Sequence, residues 1–146
     1  MHRVIYRSRA TRYFSAQGIE ALSATCRRNN AGLELTGILV FHEGRFFQVL
    51  EGEDTALLSV MQAITKDARH TQLELLEHGP VERRAFQSWR MGYAMPEGLE
   101  RPPLAAFSIR DLLSPDSQYR GRDASVRDHV RLFLSSLQKL PSRATG

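Results

Sequence analysis

A ferredoxin-like α+β sandwich, βαββαββ, is the fold the sequence predicts, on three observations. Leu35 to Gly52 reads as a hairpin, because two apolar, β-branched and aromatic runs, Leu35 to Phe41 and Arg45 to Leu50, flank His42-Glu43-Gly44. Stripes of helical spacing stand on either side of it, Ile19, Leu22 and Cys26 before and Leu57, Met61 and Ile64 after. Strand-like runs open and close the array at Arg3 to Arg7, Gln72 to Glu77 and Phe86 to Met91. Two strand–helix–strand crossovers around a central hairpin imply a five-stranded mixed sheet with both helices on one face.

In chain order, the first strand carries Val4, Ile5 and Tyr6, with Tyr6 on the face of Val4. Ser15 is a cap for a helix from Ala16 to about Asn29, whose stripe ends in Asn29-Asn30 before Gly32. Amides and glycine there read ordinarily as a helix C-cap. In the third strand Phe46, Gln48 and Leu50 share one face, and Arg45, Phe47 and Val49 the other. Gln48 is the odd residue, since a primary amide facing a core needs hydrogen-bond partners from the protein or from a ligand. Glu53-Asp54 opens the second helix, which runs to about Lys66 and closes in Asp67-Ala68-Arg69-His70. Gly79-Pro80 reads as a turn, and Arg83-Arg84 leads into a last strand where Trp89 and Met91 share a face.

The character changes from Pro96, where Gly98, Pro102 and Pro103 mark a linker, so the chain divides into a domain over 1–95 and an extension over 96–146. A short apolar stretch, Leu104 to Leu113, precedes an amphipathic helix capped by Asp123 or Ser125, striped by Val126, Val130, Phe133, Leu137 and Leu140, and stopped by Pro141. Both sheet faces are apolar, with Ile5, Phe47 and Val49 on one and Val4, Phe46 and Leu50 on the other. Two helices cover one face only, so the second needs the C-terminal helix, a partner chain, or both.

Composition narrows the function. A chain of 146 residues with 42% hydrophobic and 25% charged residues suits one domain with a core. Its longest apolar run, Ile38 to Phe41, is too short to span a membrane, and the start leads straight into a strand without a signal peptide. A single cysteine, Cys26, excludes an internal disulfide and fits the cytoplasm. The net charge of +4 leaves an anionic partner open. His2, His42, His70, His78 and His129 are scattered without metal-ligand spacing, and neither a nucleophile elbow nor a phosphate-binding glycine loop is present, so no enzyme and no metal site is expected.

An RNA-binding module of the same general topology is the competing reading, since Gly44-Arg45-Phe46-Phe47 has aromatics beside a basic residue. Adjacent phenylalanines point to opposite faces, however, and cannot both stack bases. There remains a set of groups suited to a neutral planar heterocycle: Tyr6, Asn30 and Gln48, joined by Trp89 and Met91.

Tyr6-Arg7-Ser8, Asn29-Asn30, Leu35-Thr36-Gly37, Phe46 to Gly52, Asp67 to His70 and Arg83 to Met91, in that order, resemble the BLUF family of flavin-based blue-light sensors. The resemblance covers roughly Val4 to Gly92 and implies FAD between the two helices, its ring on the face of Tyr6 and Gln48. It makes Tyr6 the photoactive tyrosine, Gln48 the glutamine between it and flavin N5 and O4, and Trp89 and Met91 the switching pair of the fifth strand. Asn30 would hold the ring's polar edge, Asn29 its phosphate side, and Asp67, Arg69 and His70 the dinucleotide. Ala63 departs from the basic residue that several members carry, which opens the site to FMN or riboflavin as well as FAD. The implied protein is a photoreceptor that forms a homo-oligomer and signals by contact to a downstream protein, without membrane or nucleic acid.

Overall fold

The computed structural model describes residues 1–86, 92–95, 106–108 and 124–145. Its elements are β1 (His2–Ala10), α1 (Ala16–Gly32), β2 (Thr36–His42), β3 (Arg45–Gly52), α2 (Asp54–Thr65), β4 (His70–Pro80), β5 (Gly92–Met95), β6 (Ala106–Ser108) and α3 (Ala124–Thr145). The sheet order is β4-β1-β3-β2-β5-β6. Its four long strands are antiparallel and ordered as in a ferredoxin-like sandwich, while β5 and β6 continue in parallel beyond β2.

Local chemistry explains the turns and caps. β2 and β3 meet through Glu43-Gly44, both at positive φ (49° and 77°), as a two-residue hairpin requires to match the twist of its strands. Ser15 caps α1 by accepting the Gly18 N–H at 3.0 Å. Gly37 admits no side chain, since a Cβ there would lie 1.8 Å from the Val49 carbonyl oxygen. Edge strand β4 is irregular: its register on β1 shifts twice, and Gln72 takes a left-handed φ of 54°.

Each sheet face has its own core. Val4, Tyr6, Leu39, Phe46 and Leu50 pack beneath α1 and α2 through Ile19, Leu22, Leu57 and Ile64. On the reverse, Ile5, Ile38, Phe47 and Val49 pack against Val126, Val130 and Phe133 of α3 together with Ala85 and Phe86. The ring centroids of Phe47 and Phe133 are 5.3 Å apart. Adjacent Phe46 and Phe47 thus belong to opposite cores, both buried.

One charged pair lies within the second layer. Arg3 donates through Nε to Glu51 at 3.0 Å, with side chains 3% and 0% exposed. The Glu51 carboxylate also accepts the backbone N–H groups of Ala85 and Phe86. Removing one partner of such a pair costs roughly 3–5 kcal/mol, because the other is left charged in the interior.

Several expectations are corrected. The sheet has six described strands rather than five, because Ala106–Ser108, within the apolar stretch after the linker, returns to pair with β5. Phe86 lies in a bend rather than in a strand, and the strand that follows begins at Gly92. Trp89 and Met91 lie outside the described residues. Gly79-Pro80 belongs to β4 rather than to a turn; an edge strand tolerates proline because one side of its backbone needs no ladder partner. α1 runs on to Gly32, so Asn29 and Asn30 lie within its last turn and not at its cap, which is Leu33. α3 continues beyond Pro141 to Thr145, so the proline does not stop the helix. Ser125 lies inside α3 and donates to Glu77 Oε1 at 2.7 Å instead of capping the helix, and Asp123 is outside the described residues.

Placing a carboxylate at position 133 tests the packing of α3. Phe133→Asp would bury a charge against Phe47, at a cost of several kcal/mol. The helix is expected to lose amide-exchange protection while the α1–α2 side keeps its own; equal protection in the variant would show that the stripe does not hold α3 down.

Candidate functional site

The Tyr6 hydroxyl, on β1, donates a hydrogen bond to Gln48 Oε1, on β3. The two residues are direct cross-strand partners, so strand register alone sets them side by side on the α1–α2 face. Both are buried, at 5% and 4% exposure. Burial first, then the neighbouring Cys26 and Asp67, pushes the Tyr6 phenol above its ordinary range. The hydroxyl is therefore protonated throughout the neutral range.

Above this pair a cleft of about 330 Å³ opens between α1 and α2. Its volume lies at the lower end of ordinary ligand pockets. Leu22, Leu39, Phe46, Val60 and Ile64 give it apolar walls, and Asn30, Tyr6 and Gln48 are its buried polar groups. Asn29, in the same turn as Asn30 but exposed, stands at the rim.

The far end of the cleft is built by the loop after α2. Asp67 Oδ1 accepts the Arg69 backbone N–H at 2.9 Å, and its carboxylate accepts Arg69 Nε at 2.9 and 3.0 Å. Arg69's hydrogen bonds, chiefly, hold the Asp67 carboxyl at about 2, well below the ordinary 3.8. His70 donates through Nε2 to the Ile64 carbonyl at 2.6 Å. The other ring nitrogen, Nδ1, is buried without a hydrogen-bond partner among the described residues.

Tyr6, Asn29, Asn30, Gln48, Asp67, Arg69 and His70 thus all line one cleft. Sequence reasoning missed Thr25, Ser59 and Val60, which line it from the helices, as does Ala63. The signal was available, because Ser59 and Ala63 are small residues four apart, and they leave room on the inner edge of α2. Cys26 is half-buried, packed against the core and also lining the cleft wall. Among the described residues no group of histidines, cysteines and carboxylates could hold a metal ion, and no helix is long and apolar enough to cross a membrane.

The Asp67–Arg69 clamp has a defined pH response. Because the carboxyl is depressed in the folded chain, its contribution is complete above the unfolded value of 3.8 and is lost as pH falls through about 2. Carboxyl NMR of Asp67 should show a midpoint below that of an exposed aspartate, and Arg69→Gln should return it to the ordinary range.

The BLUF family model, described as sensors of blue light using FAD, matches residues 1–92. Photoactivated adenylate cyclase subunit beta of Euglena longa is 37% identical over 101 residues, covering 68% of this chain and 12% of that protein. The blue light- and temperature-regulated antirepressor BluF of Escherichia coli (strain K12) is 35% identical over 82 residues, 55% of this chain and 20% of that protein. The chain therefore spans a minor share of the length of these curated relatives. Among solved structures, the dark-state BLUF protein BlrB superposes with a TM-score of 0.63 at 25% identity, covering 88% of this chain and 89% of that one. The photo-activated state of BlsA gives 0.61 at 27% identity, covering 64% and 69%. None of these matches supports the RNA-binding alternative. With that match extending over β1 to β4 and their cleft, the chain belongs to the BLUF family of blue-light photoreceptors, which bind FAD.

Proposed function

We propose that Tyr6 and Gln48 are the photoactive pair of this receptor, and that the hydrogen bond from the Tyr6 hydroxyl to Gln48 Oε1 is the element on which light acts. That bond carries the reading. The residues fit a flavin: apolar walls suit a planar ring, Asn30 suits its hydrogen-bonding edge, and the buried Nδ1 of His70 is a polar atom for a ligand to pair. Asn29, Asp67 and Arg69 would stand beside the rest of the cofactor, and Met91 and Trp89 complete the set by their match to the family motif. FAD, when bound, supplies blue-light absorption and an excited ring that accepts an electron.

The protein supplies the rest. Burial disfavours charge on Tyr6, so loss of an electron is eased by loss of its proton. The oxygen already accepting that proton is Gln48 Oε1. The electron and proton return to Tyr6 with the amide's donor and acceptor ends exchanged, by rotation or by proton relocation, which alters the hydrogen bonds offered to the ring and shifts absorption to the red. Arg69 is engaged by Asp67, and Ala63 brings no charge, so the hold on the cofactor rests mainly on the ring that FAD, FMN and riboflavin share and discriminates little among them. Residues 1–95 sense and 96–146 carry the response to a downstream protein by contact, in a cytoplasmic homo-oligomer without catalysis of its own.

Tyr6→Phe and Gln48→Leu should each retain flavin and lose the reversible red shift under blue light; absorption spectra before and after illumination decide it, and a normal shift in Gln48→Leu sinks the mechanism. Asn30→Ala should weaken flavin retention by about 1–3 kcal/mol with the fold intact. Flavin content and dark spectrum equal to wild type would restrict Asn30 to a helix residue with no hold on the ring.

A further inference from the structure

Along the β1–β3 ladder, Tyr6 opposite Gln48 is followed by Ile5 opposite Val49, Val4 opposite Leu50 and then Arg3 opposite Glu51. The buried ion pair is thus carried by the same two strands as the photoactive pair, on the opposite face. Glu51 reaches far for one side chain. Its carboxylate accepts Arg3 Nε and the Ala85 and Phe86 N–H groups at 2.9 to 3.1 Å, and its main-chain carbonyl accepts Arg84 at 3.0 Å. Arg84 also bonds Thr36 Oγ1 and the Glu34 carbonyl, so the segment that leaves β4 is pinned from both sides. The other arm of Arg3 lies 3.6 Å from Glu77, whose Oε1 accepts Ser125 Oγ at 2.7 Å and lies 3.5 Å from His129 Nε2. Ser125 and His129 belong to α3.

We propose that Glu51 is a positioning residue that couples the photoactive strands to α3, through Arg3 and Glu77 on one side and the Ala85–Phe86 backbone on the other. The proposal rests on the reading of Tyr6 and Gln48 given above. A displacement of β3 against β1 at Gln48 moves Glu51 relative to Arg3, and a buried charge cannot absorb that movement without shifting its donors. Two of those donors are the Ala85 and Phe86 N–H groups, and the third, Arg3, reaches the first turns of α3 only through Glu77. A hydrophobic pair at the same place would pack as well and transmit less, because apolar contacts have no preferred donor geometry.

The test uses the full flavin-loaded chain, comparing wild type with Glu51→Gln, which keeps shape and loses charge, and with Glu77→Gln, which removes the charge from the link to α3 alone. Both variants should bind flavin and show the wild-type red shift. Their dark recovery should change by about threefold or more. The light-minus-dark difference in amide exchange over residues 124–133, present in wild type, should be lost. If Glu51→Gln does not fold, Glu77→Gln decides alone. A wild type without a red shift overturns the Tyr6–Gln48 reading and this proposal with it. A normal shift, with recovery within about twofold of wild type and an unaltered exchange difference, overturns only the coupling role of Glu51. Absence of any exchange difference over 124–133 in wild type overturns it equally.

Discussion

The antiparallel register of β1 on β3 is the constraint from which the rest of the molecule follows. In that register Tyr6 stands opposite Gln48 and Arg3 opposite Glu51, each pair on its own face. Slipping β3 by one residue would turn Gln48 toward Phe133 and drive Phe47 into the cleft, exchanging an amide and a phenyl ring between incompatible surroundings. Both cores oppose such a slip, because β3 is buried on its two faces. Gly37 opposes it again on the other flank, where β2 and β3 approach too closely for any side chain. A strand fixed in this way can present a hydrogen-bonding amide to a ligand in a single geometry.

Much of this was legible in the residues. The hairpin, the Ser15 cap, the apolar stripes of all three helices and the opposed faces of Phe46 and Phe47 follow from periodicity and turn chemistry, which are local. The convergence of Tyr6 with Gln48 needed one further inference, that β1 pairs with β3, and the crossover pattern supplied it. What escaped is mostly non-local. Arg3 and Glu51 drew no notice in the sequence, because nothing there distinguishes a solvated arginine from one whose partner lies 48 positions away. β6 escaped for another reason: three residues of strand carry too little pattern to be told from loop. The end of α1 was misjudged because Asn29-Asn30 has the composition of a cap, while the helix continues until Leu33 turns the chain into β2.

The two faces also divide the physical work. The α1–α2 side has a hollow with amide, phenol and imidazole groups around it, and hollowness costs packing energy that its apolar walls must offset. On the α3 side the described residues form an apolar cluster, with Arg3, Glu51 and Glu77 joined in one ionic network beside it. Receiving a ligand and holding a lever ask for opposite interiors, and a sheet buried on both faces can provide one of each.

The irregularity of β4 has a consequence for how copies of this protein meet. An outer strand of eleven residues with a straight, regular backbone would offer a row of free N–H and C=O groups to the same strand of a neighbour. Two shifts in register and a left-handed residue at Gln72 break that row into short, misaligned pieces. Crowded together, such molecules find no continuous ribbon along β4, and an ordered assembly at this edge must use side-chain surfaces instead.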